Sequence, residues 1–278
     1  MYLAHFGLVE LPFGITPDTD YAYSAAAHQE ALNTLLMSVG AGEGFVKITG
    51  EVGTGKTLLC RRFLSSLDAR FHSAYLPNPQ LPPALLLHAV AEELSLKPDP
   101  AIDPFHLVKD INQRLLAFAH IGKSVVLCID EAQTMPLESL ETLRLLSNLE
   151  TEKRKLLQVV LFGQPELDDK LSDPSVRQIR QRIAFHYHLV GLLRDEVGHY
   201  LGHRLRVAGH RGNGIFSSSA ASRLFECSRG TPRLVNILAH KALLAAFGEG
   251  RDGVERRHVD RAARDTEGAR RPHWYWLR

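Results

Sequence analysis

The chain has 278 residues, 45% of them hydrophobic, which is enough for one large or two modest domains with cores. Its net charge is only +2, but residues 1–176 carry 14 lysines and arginines against 22 carboxylates, and residues 177–278 carry 19 against 9. Three distant cysteines exclude a disulfide framework or a cysteine-based zinc site, and the apolar stretches are too short to span a bilayer, so we expect a soluble cytoplasmic protein with a basic C-terminal part.

The first two thirds of the chain alternate between strand and helix patterns. After loop-like residues 1–24, a helix is predicted at 25–39. Strands are predicted at 44–49, 71–76, 123–130, 156–162 and 184–190. Helices are predicted between them at 58–67, 82–95, 104–120, 136–150 and 166–181. This alternation predicts an α/β fold with a parallel, doubly wound sheet.

Only helical patterns remain from residue 193 onward. They cover 193–208, 217–228, 231–247 and 255–266. We therefore predict a nucleotide-binding α/β domain over 1–190, an all-helical domain over 191–266 and a basic, aromatic tail over 267–278. The tail has two readings, an anchor at a membrane interface or partner groove, and an end that is disordered or folded back.

A glycine-rich loop lies between the first predicted strand and the helix after it. Its residues are Gly50, Glu51, Val52, Gly53, Thr54, Gly55, Lys56 and Thr57, and Leu58, which follows the loop, is also a candidate for nucleotide binding. They complete the pattern G-x-x-x-x-G-K-[ST], in which backbone N–H groups surround phosphate oxygens. Lys56 would supply a charge for the β- and γ-phosphates, and the Thr57 hydroxyl would hold Mg²⁺. The loop therefore predicts an ATP or GTP site at a helix N-terminus.

A pair of carboxylates, Asp130 and Glu131, ends the apolar strand 123–130. We expect Asp130 to orient Mg²⁺ through water and Glu131 to activate the attacking water, from a strand adjoining the one that leads to the loop. The alternative is an acidic pair that starts the next helix. Gln164 follows the next strand, where it either reaches the γ-phosphate or the water, or is a solvated strand end.

Arginines are the remaining candidates for phosphate chemistry. Arg177, Arg180 and Arg182 precede the last strand, where an arginine offered from a neighbouring subunit would neutralise transition-state charge. Arg182 is our first choice for this role and Arg180 the second. The alternative is that these arginines lie on a solvated helix face. Arg233 opens a helix of the second domain and either reaches the phosphates or forms an interdomain ion pair.

In this order, these elements resemble the AAA+ ATPases. Further motifs narrow the resemblance to the ExeA/GspA family of secretion ATPases, and within it to the short type that serves MSHA pilus biogenesis. These motifs are His5–Leu8, Pro12–Phe13, Thr16–Asp18, Tyr21, His28–Leu32, Asp130–Gln133, Leu161–Leu167, Gln181–Ile183 and Gly230–Asn236. The resemblance covers roughly residues 2–265.

The resemblance implies a P-loop NTPase (AAA+) αβα sandwich followed by a small helical lid, with ATP and Mg²⁺ as cofactors. It places Phe13, Ile15 and Tyr21 in an adenine pocket, Gln164 as sensor 1 and Arg233 as sensor 2. A hydrophobic strap over the core is an equal reading for Pro12-Phe13. Nucleotide-dependent formation of a homo-oligomer, as a ring, is also implied.

The same resemblance implies work beside the inner membrane in the assembly of a type IV pilus or a type II secretion machine. The long relatives add a transmembrane helix and a periplasmic peptidoglycan-binding region. This chain ends soon after the lid, so we expect a partner to provide membrane attachment. The only metal we expect is Mg²⁺ carried with the nucleotide.

Two other functions stay open. One is a DNA-transaction ATPase, for which basic residues of the C-terminal part would neutralise phosphates. These are Arg251, Arg256, Arg257, Arg261, Arg264, Arg270 and Arg271. The other is a nucleotide-gated scaffold that hydrolyses slowly.

Overall fold

The computed structural model describes residues 2–16, 18–150 and 155–270. The chain divides into two compact units. The sheet unit contains the described residues of 28–52 and 59–189, and the helical unit contains those of 1–27, 53–58 and 190–278.

Five strands form one parallel sheet in the sheet unit. They are β1 Phe45–Thr49, β2 Phe71–Leu76, β3 Ser124–Ile129, β4 Leu157–Gly163 and β5 Ile183–His188. Their order is β2-β3-β4-β1-β5, with parallel pairing throughout. Every residue of β4 is buried, as are the last five of β3, because strands covered on both faces are apolar at successive positions. The predicted parallel, doubly wound sheet is confirmed.

Helices alternate with these strands and then continue alone. They are α1 Tyr2–His5, α2 Ala26–Gly40, α3 Lys56–Ser66, α4 Pro83–Glu93, α5 Pro104–His120, α6 Leu137–Ser147, α7 Glu166–Leu171, α8 Arg177–Arg182, α9 Arg194–Val207, α10 Ser218–Ser228, α11 Pro232–Gly248 and α12 Arg256–Arg264. In the sheet unit, one core packs side chains of α4 to α8 against alternate strand residues such as Leu127 and Ile129. Cys128 points to the opposite face, where it contacts Cys60 of α3.

Two element predictions need correction. The helix predicted over 166–181 is two helices, α7 and α8, separated by the 3-10 turn Pro174–Val176. Pro174 cannot continue α7, and the Asp173 side chain instead accepts the Ser175 N–H and starts the turn. The segment 1–24, predicted as loop, contains the one-turn helix α1.

The strand that carries Glu131 does not adjoin the strand that leads to the glycine-rich loop. β4 lies between them, because it pairs with β1 on one side and with β3 on the other. The carboxyl ends still meet at one edge of the sheet, since Thr49 is opposite Gly163 and Ile129 is opposite Leu161. β4 rather than β3 therefore occupies the place beside β1.

The helical unit has its own apolar core, formed by α9 to α12 and by the N-terminal segment. Tyr2, Phe6, Leu8, Phe13 and Tyr21 belong to this core. The sequence pattern assigns these residues to the nucleotide-binding domain over 1–190. In the structure their apolar side chains are buried together with those of α9 to α12.

Polar contacts hold the same segment. The Arg204 Nε of α9 donates to the Pro12 carbonyl at 2.5 Å, and Asn236 Nδ2 of α11 donates to the Gly14 carbonyl at 3.1 Å. Tyr2 Oη and His240 Nδ1 are 2.9 Å apart. Of the predicted tail, residues 271–278 lie outside the described residues.

Candidate functional site

The glycine-rich loop connects β1 to α3 and contains two residues that require glycine. Gly53 has φ +82° and Gly55 has φ +98°, a region that side-chain-bearing residues rarely adopt. Thr54 and Lys56 are only 2% and 5% exposed. The Gly50 N–H donates to the Gly163 carbonyl at 3.2 Å, which ties the start of the loop to the end of β4. The loop is thus a tightly turned backbone segment that leads into an eleven-residue helix.

Gly53 also contacts the start of α11. The backbone N–H of Arg233 donates to the Gly53 carbonyl at 3.2 Å. A Cβ added at Gly53 would lie 2.6 Å from the Arg233 Cβ and 3.3 Å from Thr231 Cγ2, so no larger residue fits without movement. Two predicted site residues are therefore in direct contact, although the Arg233 side chain itself is exposed.

Asp130 is buried at the carboxyl end of β3 and is 2% exposed. Its Oδ1 accepts the Glu131 N–H at 3.0 Å, and the Tyr75 hydroxyl lies 3.5 Å from Oδ2. Burial and the nearby Asp130 carboxylate raise the pKa of Tyr75 to about 12, so Tyr75 remains a donor at neutral pH.

Glu131 departs from regular backbone geometry. It has φ 51° and ψ 36°, the left-handed conformation, which is uncommon for a residue other than glycine. The turn Ala132–Thr134 that follows is a 3-10 turn rather than the start of an α-helix. Glu131 therefore lies at a sharp turn out of the strand, in a conformation that clusters at functional sites.

The Glu131 carboxylate is held by two side-chain amides. Gln133 Nε2 donates to Glu131 Oε2 at 2.6 Å, and Gln164 Nε2 donates to the same oxygen at 3.1 Å. Gln133 Oε1 in turn accepts the Gln164 N–H at 3.0 Å. The structure thus brings Glu131 and Gln164 together, and a contact of Gln164 with the γ-phosphate or the attacking water stays a prediction.

Gln133 is the functional candidate that sequence reasoning missed. It stood inside the motif Asp130–Gln133, but nothing in the spacing showed that its amide would turn back toward Glu131. The left-handed Glu131 makes this possible, because it reverses the chain immediately after β3.

The residue types present suit Mg²⁺ and a nucleoside triphosphate. Mg²⁺ prefers oxygen ligands, and the Thr57 hydroxyl and the Asp130 carboxylate are groups of that kind. The turned loop with its positive-φ glycines, followed by a helix N-terminus, suits phosphate groups. The residues present therefore fit the predicted cofactors.

The three arginines before β5 differ in their surroundings. Arg177 and Arg180 of α8 are exposed. Arg182, the first choice from the sequence, is partly buried, and its Nη1 donates to Ser147 Oγ at 3.2 Å within the sheet unit.

The predicted adenine-pocket residues separate into two groups. Phe13 and Tyr21 are 3% and 6% exposed in the core of the helical unit, whereas Ile15 is 57% exposed. Phe13 packs edge-on to Phe216 at 5.7 Å, and the Arg204 guanidinium lies 4.6 Å from the centre of the Tyr21 ring. These contacts agree with the strap reading of Phe13, and a contact with adenine stays a prediction.

A family model matches part of the chain. Residues 39–171 match the family model described as an AAA domain. With the parallel sheet and the loop geometry, the fold is a P-loop fold of the AAA type, with a helical C-terminal region.

The chain is also similar to a secretion protein. It is 43% identical over 270 residues to general secretion pathway protein A of Aeromonas hydrophila. The aligned region covers 97% of this chain and 49% of that protein. The chain therefore spans about half the length of this relative.

Three solved structures illustrate the similarity of the fold. The ORC2 protein of Aeropyrum pernix, in ADPNP–ADP complexes, has a TM-score of 0.64 at 16% identity, over 91% of this chain and 72% of that chain. Cdc6p of Pyrobaculum aerophilum has a TM-score of 0.64 at 18% identity, over 89% and 70%. The RuvB branch migration motor of Thermotoga maritima has 0.56 at 20%, over 86% and 68%. At these identities the likeness shows the fold alone.

Within residues 2–16, 18–150 and 155–270, no helix has both the length and the apolar character that crossing a bilayer requires.

Proposed function

We propose that this chain binds ATP with Mg²⁺ and hydrolyses it to ADP and phosphate. The observation that carries the proposal is the Glu131 carboxylate, fixed by amides of Gln133 and Gln164 at the sheet edge where the glycine-rich loop begins. A carboxylate held in one orientation beside a phosphate-binding loop is what activation of an attacking water requires.

Each residue has a distinct task in this proposal. Backbone N–H groups of residues 50–58 and the Lys56 ammonium bind the phosphates, and Thr57 and Asp130 hold Mg²⁺. Bound Mg²⁺ neutralises charge on the phosphates. Glu131 accepts the proton of the water, and Gln164 orients the water or the γ-phosphate. Arg233, whose backbone N–H donates to the Gly53 carbonyl, senses the nucleotide state.

We further propose that the chain forms a nucleotide-dependent homo-oligomer, as a ring, in which Arg182 or Arg180 of one subunit completes the neighbour's site. The exposed position of Arg180 suits it to reach another subunit. Arg182 would have to leave its bond to Ser147 to do so.

The biological role we propose is assembly of a type IV pilus or type II secretion machine at the cytoplasmic side of the inner membrane. Similarity over nearly the whole chain to general secretion pathway protein A supports a secretion role. The finer assignment, to the MSHA-type pilus ATPase MshM, rests on the motif resemblance. Membrane attachment through a partner protein is part of the same proposal.

The DNA alternative is weakened by the charges around α12. Arg256, Arg257 and Arg261 lie 3.6, 3.5 and 3.1 Å from carboxylates of the helical unit, Glu226 and Glu249. Three of the seven arginines that would meet DNA phosphates therefore already lie near carboxylates. Strong ATP-dependent, salt-sensitive binding to duplex DNA would nevertheless reverse this order of preference.

Turnover and nucleotide affinity of three variants test the hydrolase. Lys56→Ala should lose nucleotide binding, since it removes a phosphate charge. Glu131→Gln should bind ATP with wild-type affinity but hydrolyse it at least about 100-fold more slowly. Phosphate release and titration with a fluorescent ATP analogue measure both quantities, and Glu138→Gln, an exposed carboxylate on α6, is the matched control.

Unchanged turnover in Glu131→Gln would remove Glu131 as the base and favour the slow scaffold. Wild-type affinity in Lys56→Ala would contradict the loop assignment. A pull-down from native cells with the ATP-locked Glu131→Gln form tests the role, because pilus or secretion proteins should be recovered with it and not with Lys56→Ala.

A further inference from the structure

Gln133 connects two residues of the proposed catalytic site with one side chain. Its Nε2 donates to Glu131 Oε2 at 2.6 Å, and its Oε1 accepts the backbone N–H of Gln164 at 3.0 Å. Both ends of the amide are therefore used between the ends of β3 and β4. A surface glutamine without a role would be expected to direct these groups to solvent.

The two amides act on the same oxygen of Glu131. Gln133 and Gln164 both donate to Oε2, and Oε1 accepts no hydrogen bond from any residue within the described part of the chain. A glutamate side chain in water occupies several rotamers, and two bonds to one oxygen select a single orientation. The arrangement orients Glu131 while its second oxygen stays available to a water molecule.

The backbone around Gln133 is itself held in place. Lys170 Nζ of α7 donates to the carbonyls of Gln133 and Met135, and Ala132 and Met135 are fully buried. Burial lowers the pKa of Lys170, and its two carbonyl partners anchor it. The 3-10 turn therefore presents Gln133 from a fixed base rather than from a loose loop.

Gly163 leaves the room that this arrangement needs. A Cβ at Gly163 would lie 3.3 Å from Gln133 Oε1 and 2.7 Å from Leu167 Cδ2. The last residue of β4 thus has to be small so that α7 and the Gln133 amide can approach the strand end together.

We propose that Gln133 is a positioning residue, which orients the Glu131 carboxylate and couples it to Gln164. The proposal rests on the proposed ATP hydrolysis. Through the Gln133 amide, the position of the Gln164 backbone sets the position of the base, so the two strand ends act as one unit. Gln133 has no contact with substrate in this role, and it acts only through Glu131.

The first test replaces the amide by an apolar side chain of similar size. Gln133→Leu should lower kcat by about 10- to 100-fold, because the base loses its orientation, while KM and affinity for a fluorescent ATP analogue stay within about twofold. The control is Gln113→Leu on the exposed surface of α5, which should leave all three values unchanged. Thermal unfolding shows whether either variant is destabilised.

A second variant covers the case in which Gln133→Leu folds poorly. Gln133→Glu keeps the size of the side chain and the acceptor for the Gln164 N–H, but removes the donor to Glu131 and places a like charge beside it. Its kcat should fall at least as far as that of Gln133→Leu.

A double variant separates positioning from a structural role. If Gln133 acts only through Glu131, Gln133→Leu should cause no further loss of turnover in a Glu131→Gln background. A full additional loss there, a fall in nucleotide affinity matching that in kcat, or wild-type kcat in both single variants would overturn the inference. Absence of turnover in the wild-type chain would instead contradict the proposed function itself.

Discussion

At the residue scale, Gly53 and Glu131 both have left-handed backbone conformations, for different physical reasons. Gly53 has φ +82° where Arg233 leaves no room for a side chain, so the position needs glycine twice over. Glu131 has φ 51° although it bears a side chain, and its carboxylate is held by neighbouring amides. Ser95 and Arg229 also have positive φ, so the conformation of Glu131 is notable because its carboxylate is held at the proposed site.

The contact between Gly53 and Arg233 can be separated from backbone strain with a matched pair of variants. Gly42 has nearly the same φ, +83°, but a Cβ there would meet nothing within 4 Å. We expect Gly42→Ala to cost about 1 kcal/mol of unfolding free energy with unchanged nucleotide affinity. Gly53→Ala should cost more and weaken nucleotide binding at least about tenfold, because the loop or the start of α11 must shift.

Chemical denaturation and titration with a fluorescent ATP analogue measure the two effects. Equal stability losses together with wild-type nucleotide affinity in Gly53→Ala would show that the close approach of Arg233 has no consequence for the loop.

At the scale of elements, the N-terminal segment is fixed to the helical unit by a buried polar network. Arg204 of α9 is 8% exposed, donates to the Pro12 carbonyl and lies over the Tyr21 ring. The Tyr200 hydroxyl donates to Asn236 Oδ1 at 2.8 Å, and Asn236 reaches the Gly14 carbonyl. Elements far apart in the chain thus satisfy one another's buried polar groups.

Removal of Arg204 should therefore destabilise the helical unit. We expect Arg204→Ala to lower the unfolding free energy by about 2–3 kcal/mol, since it leaves a buried carbonyl without its donor and removes a cation–π contact. Arg206→Ala, an exposed arginine of the same helix, is the control and should change stability by less than about 0.5 kcal/mol. Similar small changes in both variants, measured by denaturant titration, would mean that the N-terminal segment contributes little.

At the scale of the whole molecule, we propose that an arginine of a neighbouring subunit completes the site. Arg182 is bonded to Ser147 of its own subunit and Arg180 is exposed, so the two arginines make different demands on assembly. For Arg180 to reach the neighbouring site, the subunits need only be in contact. For Arg182 to reach it, the hydrogen bond to Ser147 within its own subunit must also break.

Mixed oligomers distinguish these arginines. Subunits with Arg182→Ala or Arg180→Ala keep Glu131, and Glu131→Gln subunits keep both arginines, so a shared site should recover part of the wild-type ATP turnover on mixing. We expect recovery for one of the two arginine variants and none for Arg177→Ala, which should be active alone. Absence of recovery at every mixing ratio, with oligomers seen by light scattering, would contradict an arginine shared between subunits.

Much of the fold was visible in local patterns. The strand predicted at 71–76 agrees with β2 at both bounds, and the helix predicted at 104–120 agrees with α5. Both are apolar runs whose ends are marked by proline or charged residues. The helix predicted at 166–181 is wrong in its middle, where Asp173 and Pro174 start a 3-10 turn and end the helix although the surrounding composition is helical. Pairing between strands was not readable, since it depends on packing between distant segments.

The candidate site divides in the same way. Glycine spacing, the Lys56-Thr57 pair and the carboxylates after an apolar strand are local features, and these alone indicate phosphate chemistry. Three other features depend on tertiary structure. Residues distant in the chain bring β4 between β1 and β3 and bury the N-terminal residues in the helical core. The left-handed turn at Glu131 reverses the chain and brings the Gln133 amide to the Glu131 carboxylate. The sequence alone determines features that depend on neighbouring residues, such as the phosphate-binding loop. Contacts between distant segments are decided only by the tertiary structure, because they depend on which surfaces bury one another when the chain folds.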